Sequence, residues 1–220
     1  MGTFKKGING PFSGKIGSVI GSHWKDVSYM KGLYRTKSNK KPSEDQLRQR
    51  DKFKLLLDFF APIKRLLAIG FGQYVKSNTA VNAAMRFNYD MAFYEEEGKV
   101  LLDYSKIQFS RGSLFTAGAE KAMLTDRGIH ITWNTKTYGI SGHFDDIVHI
   151  TCLTYIGKDR FFDSESGDIR RHHGEAIIEL NTKLKPVEIH VWLFLSSQQG
   201  DKVSKTVYIP IEISDNKVTL

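Results

Sequence analysis

The sequence predicts an α+β fold in which a glycine-rich β/loop arm and two helices precede an antiparallel β-sandwich. Three observations support this prediction. Glycines recur through residues 1–34, apolar residues follow three- and four-residue steps between residues 43 and 94, and the apolar period becomes two from Val100 onward. We therefore expect residues 1–98 to form a basic arm with a helical hairpin, and residues 99–220 to form the sandwich domain.

The arm contains too many glycines for a stable helix, so we expect short strands and tight turns, with Lys15–Ile20 pairing with His23–Met30. Its aromatic residues are interleaved with lysines. Rings beside cations suit stacking on nucleic-acid bases or packing on a neighbouring subunit, and the arm could also fold onto its own domain. The candidate self-association contacts are Phe12, Trp24, Tyr29 and Tyr34.

The first helix is expected at about residues 43–61. Ser43 begins a capping box with Gln46, and Pro62 should end the helix because its ring clashes with the preceding turn. The buried stripe should contain Phe53, Leu56, Leu57, Phe60, Ile63 and Leu67, and Leu55 and Phe59 should widen it. A second helix is expected at about residues 79–94, with polar Asn88 interrupting its apolar side and an acidic run at its end.

The alternating part of the chain predicts eight strands separated by turns. They are Leu101–Ser110, Lys121–Leu124, Ile129–Asn134, Ile147–Ile156, Arg160–Asp163, Glu175–Leu180, Val187–Ser197 and Val203–Ile213. In the longest alternation, Val191 and Leu193 point to one face, while Trp192 and Phe194 point to the other. Short strands at this spacing predict an antiparallel sandwich.

Positive charge is concentrated near the start of the chain, although the whole chain carries +8. Residues 1–65 contain 15 Lys and Arg against 5 Asp and Glu, whereas residues 66–220 contain 17 against 19. Such a segment suits phosphate backbones, anionic lipid or an acidic protein surface, and it also suits a solvated arm. The candidate polyanion contacts are Lys37, Lys40, Lys41, Arg48 and Arg50.

Residues 107–213 resemble a fibronectin type III or immunoglobulin-like domain. The run Gly128-Ile-His-Ile-Thr-Trp133 is similar to the second strand of that family, which ends in a core Trp. Leu184-Lys-Pro186 is similar to its turn into the sixth strand, and Thr206-Val-Tyr208 resembles its last strand. The resemblance implies a sandwich of two antiparallel sheets.

Nearly the full chain also resembles an uncharacterised bacterial family of this length. The motifs that carry this resemblance are Gly7-Ile-Asn-Gly10, Phe12-Ser-Gly14-Lys15-Ile-Gly17, Gly21-Ser-His-Trp24-Lys25, Gln46-Leu-Arg-Gln-Arg50-Asp-Lys52-Phe53, Asn82-Ala-Ala84 and Val203-Ser-Lys-Thr-Val-Tyr208. That family implies no particular activity.

The sequence contains no recognisable catalytic or metal-binding pattern. His172–His173 lacks a third ligand at metal spacing, and His143 with Asp145–Asp146 lacks a calcium loop. No Gly-x-Ser-x-Gly elbow occurs. The single Cys152 excludes an internal disulfide. We expect a protein that is not an enzyme and has no cofactor and no metal.

The sequence also predicts no transmembrane segment, because no apolar run approaches the roughly 20 residues that cross a bilayer. Its start lacks the apolar core and cleavage site of a signal peptide. We therefore expect a cytoplasmic protein, or one that joins a particle or appendage without that route.

Three functional hypotheses remain. The first is a structural or assembly protein whose basic, aromatic arm packs onto another copy or another subunit of a filament, appendage or virion-like particle. The second is nucleic-acid binding through residues 1–65, which predicts a steep dependence on salt. The third is a hydrolase with an unrecognised site, which predicts a deep polar pocket.

Overall fold

A computed structural model of the chain describes residues 2–4, 7, 10–33, 41–75, 78–137, 142–157, 159–165, 167–180, 186 and 188–212. Its contacts divide the chain into two compact units, Met1–Ser43 and Glu44–Leu220. Mostly antiparallel sheets and three helices make the fold α+β, as predicted. This division differs from the predicted one at residue 98, because the helices belong to the same unit as the later strands.

The N-terminal unit is a four-stranded sheet. Its strands are β1 Thr3–Phe4, β2 Phe12–Ile16, β3 Val19–Trp24 and β4 Val27–Gly32, in spatial order β1-β2-β3-β4. Two-residue loops connect β2 to β3 and β3 to β4, because Ile16 pairs with Val19 and Trp24 pairs with Val27. The predicted strand at residues 15–20 is therefore interrupted by a turn.

Three helices begin the second unit: α1 Glu44–Phe60, α2 Lys64–Gly70 and α3 Ala80–Asn88. The first ends just before Pro62, as predicted. The third ends at Asn88 and not at residue 94, because a hairpin of β5 Phe93–Glu96 and β6 Lys99–Leu102 follows it. The acidic run thus belongs to a strand and to a turn in which Gly98 has φ of +75°. None of the helices in the described ranges is long and apolar enough to cross a membrane.

The remaining strands form two four-stranded sheets. They are β7 Lys121–Thr125, β8 Gly128–Thr132, β9 Ile147–Ile156, β10 Asp159–Glu165, β11 Glu175–Ile178, β12 Glu188–Ser196, β13 Val207–Ile209 and β14 Ile211–Glu212. One sheet has the order β10-β9-β12-β13 and the other has the order β11-β8-β7-β14. All pairings are antiparallel except that between β14 and β7. The predicted strand at residues 101–110 is confined to the end of β6 and continues as a short 3-10 turn.

The sheet that contains β12 is covered on both faces. Val191 and Leu193 belong to a core cluster with Ile129 of the second sheet. Trp192 and Phe194 belong to another cluster, with residues of all three helices. The alternation predicted for this strand is confirmed, and the face that points away from the other sheet is buried under the helices.

The core face of α1 differs in part from the predicted stripe. Leu56 and Phe60 are fully buried as expected, but Phe53 and Leu57 are exposed. Phe59 is fully buried and packs edge-on against Trp192, with ring centroids 6.3 Å apart. Phe59, which was expected only to widen the stripe, therefore faces the sheet, whereas Phe53 does not.

The polar irregularity in α3 is a buried connection. The Asn88 side-chain amide donates to the carbonyl oxygens of Ala84 and Gln108, at 2.8 and 2.9 Å. Its Oδ1 accepts the Gln108 amide at 2.7 Å. All hydrogen-bonding groups of this buried side chain are used, so Asn88 ties the helix end to the segment before β7.

Candidate interaction surface

Strands β2, β3 and β4 of the N-terminal sheet contain no buried hydrophobic side chain. In the described chain, the buried hydrophobic residues lie between Leu56 and Ile209. Among the residues of β2, β3 and β4 only Gly21 is buried, and β4 is exposed at every position. A small sheet needs a packed hydrophobic face to be stable in water. Its apolar side chains are therefore surface available to a partner.

One face of this sheet combines aromatic, aliphatic and basic side chains. Strand alternation and register place the following residues on it: Lys15, Ile20, Ser22, Trp24, Val27, Tyr29 and Lys31. We call this set the aromatic face. Trp24, Val27 and Tyr29 are 42%, 62% and 45% exposed. Two of the predicted self-association residues, Trp24 and Tyr29, thus share one accessible face.

Phe12 lies on the opposite face of the same sheet. Its ring covers Gly21, where an added Cβ would lie 2.6 Å from the Phe12 Cδ2 atom. Phe12 is consequently half-buried and fills the space that glycine leaves open. Met30 shares this face and is 71% exposed. The predicted contact set therefore divides between two faces, and its fourth member, Tyr34, lies outside the described residues.

The turn between β3 and β4 carries a lysine at the edge of the aromatic face. Lys25 has φ of +52°, a left-handed conformation that is uncommon for a residue with a side chain. Its Nζ lies 4.9 Å from the centre of the Trp24 ring, close enough for a cation–π contact. This contact holds positive charge beside an exposed indole.

The predicted polyanion residues are distributed over both units and over residues that the structure does not describe. Lys37 and Lys40 lie outside the described residues. Lys41 is exposed in the N-terminal unit, while Arg48 and Arg50 are exposed on α1 in the second unit. The Arg48 guanidinium lies 3.8 Å from the Glu95 carboxylate, a surface ion pair that contributes little stability.

The difference in net charge between the two parts of the chain is best described by dividing the chain between Ser43 and Glu44, where the two units meet in sequence, and not at residue 65. Residues 1–43 contain nine Lys and Arg and one Asp, which gives a net charge of +8. Residues 44–220 contain 23 basic and 23 acidic residues, which gives a net charge of zero. The N-terminal unit thus accounts for the whole net charge of the protein.

A cleft in the second unit has the opposite charge. It occupies about 530 Å³ between the edge strands of the two sheets, and we call it the acidic cleft. Its lining residues are Asp163, Ser164, Glu165, Ile177, Ile178 and Glu179. Burial raises the pKa of the Asp163 carboxyl. Sequence reasoning did not find this cleft, because two of its carboxylates lie on β10 of one sheet and the third lies directly after β11 of the other sheet.

His143 and His172, which the sequence analysis considered as parts of two separate clusters, both lie close to Asp145. Asp145 lies between His143 and His172, with nitrogen–oxygen distances of 3.7 and 3.5 Å. All three side chains are substantially exposed. Within the described ranges, no group of three or more His, Cys, Asp or Glu residues has the arrangement of a metal site.

A second polar group lies on the sheet β10-β9-β12-β13, beside Trp192. His190 Nδ1 lies 3.0 Å from the Tyr208 hydroxyl, and His190 Nε2 lies 2.8 Å from the Glu188 carboxylate. Burial lowers the pKa of His190, and the neighbouring Glu188 partly opposes that effect. Burial also raises the pKa of Tyr208. Both ring nitrogens of neutral His190 therefore form hydrogen bonds, to Tyr208 and to Glu188. His190 is not one of the residues that line the acidic cleft.

A buried ion pair fixes the loops at one end of the sandwich. Arg171 and Asp146 are 1% and 2% exposed, and the guanidinium donates to Asp146 Oδ2 from Nε at 3.2 Å and Nη2 at 3.1 Å. Arg171 also donates to the carbonyl oxygen of Phe115 at 2.9 Å. The Trp133 indole donates to the Arg171 carbonyl oxygen at 2.8 Å. These bonds satisfy the buried charges, so we assign the pair a structural role.

Comparison with known proteins identifies the family but not an activity. A family of unknown function, DUF6266, matches residues 11–210. The chain belongs to this family. No curated protein and no solved structure matches the chain. The expected membership of an uncharacterised family is thus confirmed, and the family match spans the aromatic face and the acidic cleft alike.

Proposed function

We propose that the protein is a non-catalytic assembly subunit that uses its N-terminal sheet to contact other subunits of a filament, appendage or virion-like particle. The observation that carries this proposal is a sheet with exposed apolar residues whose strands β2, β3 and β4 contain no buried hydrophobic side chain. The second unit supplies the rigid body, with two hydrophobic clusters around one central sheet.

The energy available from apolar contacts alone is modest. Trp24, Val27 and Tyr29 of the aromatic face are between 42% and 62% exposed. Burying these remaining parts would contribute on the order of 3 kcal/mol, at roughly 1.5–3 kcal/mol for each fully buried side chain. Association costs about 4–15 kcal/mol. A stable contact therefore also requires backbone hydrogen bonds or ion pairs.

We further propose that the body is an immunoglobulin-like sandwich. The strands β7, β8 and β11 are adjacent in one sheet, and β10, β9, β12 and β13 are adjacent in the other. If β7 is taken as the first strand, this order corresponds to A-B-E and C′-C-F-G of that fold. Trp133, directly after β8, is buried in the cluster between the sheets. Both features support the resemblance suggested by the sequence.

Mass in solution tests the assembly proposal. Light scattering should give a mass that increases with concentration for the full chain, and a monomer for a chain that lacks residues 1–41. Both chains should have similar free energies of unfolding, because the buried hydrophobic residues of the described chain lie between Leu56 and Ile209. A full chain that stays monomeric at every concentration would refute the proposal.

Nucleic-acid binding is a second candidate function, favoured by the aromatic face. Trp24 and Tyr29 lie there with Lys15 and Lys31, and exposed rings beside cations suit the stacking of single-stranded bases. Binding of a labelled single-stranded oligonucleotide should weaken steeply with salt. Trp24→Ala should weaken it at all salt concentrations, whereas Lys31→Ala should also lower the salt slope. Binding that does not respond to either change would exclude this function.

A further inference from the structure

The acidic cleft lies beside the longest sheet edge that the structure describes in the second unit. The described edge strands of its two main sheets are β10 with seven residues, β11 with four, β13 with three and β14 with two. An edge strand presents unpaired N–H and C=O groups that can pair with another strand. Since Asp163 and Glu165 belong to β10, the longest of these edges carries negative charge.

The charge of the cleft restricts which strand can pair there. Asp163, Glu165 and Glu179 have no ion-pair partner within the part of the chain that the structure describes. Like charges would repel a second acidic edge, so two β10 strands should not pair with each other. A cationic strand would instead supply the missing counter-charges.

Strand β4 has the length, exposure and charge that this edge requires. It has six residues, all exposed, and among the described strands it pairs only with β3. Lys31 lies in the strand and Lys25 in the turn before it. The unit that contains it carries a net charge of +8, and exposed Val27 and Tyr29 can cover apolar surface such as Ile177, which is 47% exposed.

We propose that β4 of one copy adds to the β10 edge of a second copy, with Lys25 and Lys31 against the carboxylates of the acidic cleft. This inference rests on the proposed assembly function and names its contact. The two surfaces are different, so the contact is heterologous and generates a ring or an open filament. Backbone hydrogen bonds and ion pairs supply the part of the association free energy that apolar burial alone does not provide.

Charge reversal on the full-length protein tests this contact. Lys25→Glu with Lys31→Glu, and separately Glu165→Lys with Glu179→Lys, should each weaken self-association at least about tenfold in sedimentation velocity. Mixing the two variants should restore association, because each reversed surface then meets a reversed partner. Matched controls are Lys136→Glu with Lys202→Glu, and Glu96→Lys with Glu97→Lys, all at exposed positions; both should associate as the unchanged chain does.

The outcomes distinguish the proposed β4–β10 contact from the more general proposal that the protein assembles through its N-terminal sheet. Loss of association in the lysine variant but not in the Glu165/Glu179 variant would overturn the cleft as the docking site and leave assembly through the N-terminal sheet intact. Loss in both variants without recovery on mixing would also overturn the pairing. If the unchanged chain does not associate at any concentration, both proposals fail. Circular dichroism of each variant confirms that the fold is retained.

Discussion

His149 should make the folded state sensitive to acid. It lies on β9, is 3% exposed, and stacks on Phe194 with ring centroids 4.7 Å apart. Its Nε2 lies 2.8 Å from the Ser196 hydroxyl oxygen. Burial lowers the pKa of His149 from 6.5 to about 4, because the protonated ring would lose its hydration in this site. The ring is therefore neutral in the folded protein at pH 7.

The size of the effect follows from the two pKa values. Below pH 6.5 the unfolded chain binds a proton at this histidine, while the folded chain does not bind it until about pH 4. Stability is therefore fully present above pH 6.5 and is lost as the pH falls through this window. At about 1.36 kcal/mol per pKa unit, the loss by pH 4 is about 3 kcal/mol.

His149→Gln tests this reasoning, since the amide can still bond Ser196 but cannot be protonated. Urea denaturation at several pH values between 4 and 7.5 gives the free energy of unfolding for both proteins. The difference between the unchanged protein and the variant should shift by about 3 kcal/mol between pH 7 and pH 4 in favour of the variant. Parallel pH profiles for the two proteins would refute the assignment of acid sensitivity to His149.

Two further changes test the packing. Arg171→Met should cost about 3–5 kcal/mol in urea denaturation, because it leaves the buried Asp146 carboxylate without its cation. Adding Asp146→Leu should recover part of that loss, and a double variant as unstable as the sum of both single variants would contradict this account. Gly70→Ala should lower Tm and cost at least about 1–3 kcal/mol, because the new Cβ would lie 2.0 Å from the carbonyl oxygen of Phe109. Gly72→Ala has open space and is the control, so equal losses at both glycines would contradict the predicted clash.

Local patterns were sufficient to predict several elements. Pro62 and the capping signal at Ser43 bracket α1, which spans Glu44–Phe60. The two-residue period located β9 and β12, since each side chain alternates between two packed surfaces. The end of α3 was placed too late. The two-residue turn Glu97–Gly98 folds the acidic run that follows α3 into a hairpin, and such turns depend on positive φ rather than on apolar spacing.

The geometry of the aromatic face depends on the pairing register of β2, β3 and β4. Amino-acid composition does not determine that register. Aromatic residues beside lysines were evident from the sequence, but their faces were not. The loops Gly17–Ser18 and Lys25–Asp26 fix the pairing that places Trp24 with Tyr29 and sends Phe12 to the other side. A slip of one residue would exchange the two faces. The acidic cleft was beyond local reasoning because its strands are adjacent only after the sandwich forms.

The sequence of β12 explains why the helices and the sandwich form one unit. A strand of a two-layer sandwich needs only one apolar face, yet Trp192 and Phe194 place large rings on the second face as well. Each is at most 1% exposed, and leaving such rings in water would cost about 1.5–3 kcal/mol apiece. A third layer is therefore required, and Phe59 of α1 supplies it by packing against Trp192. An apolar second face on a sandwich strand thus predicts a covering helix before any contact is known.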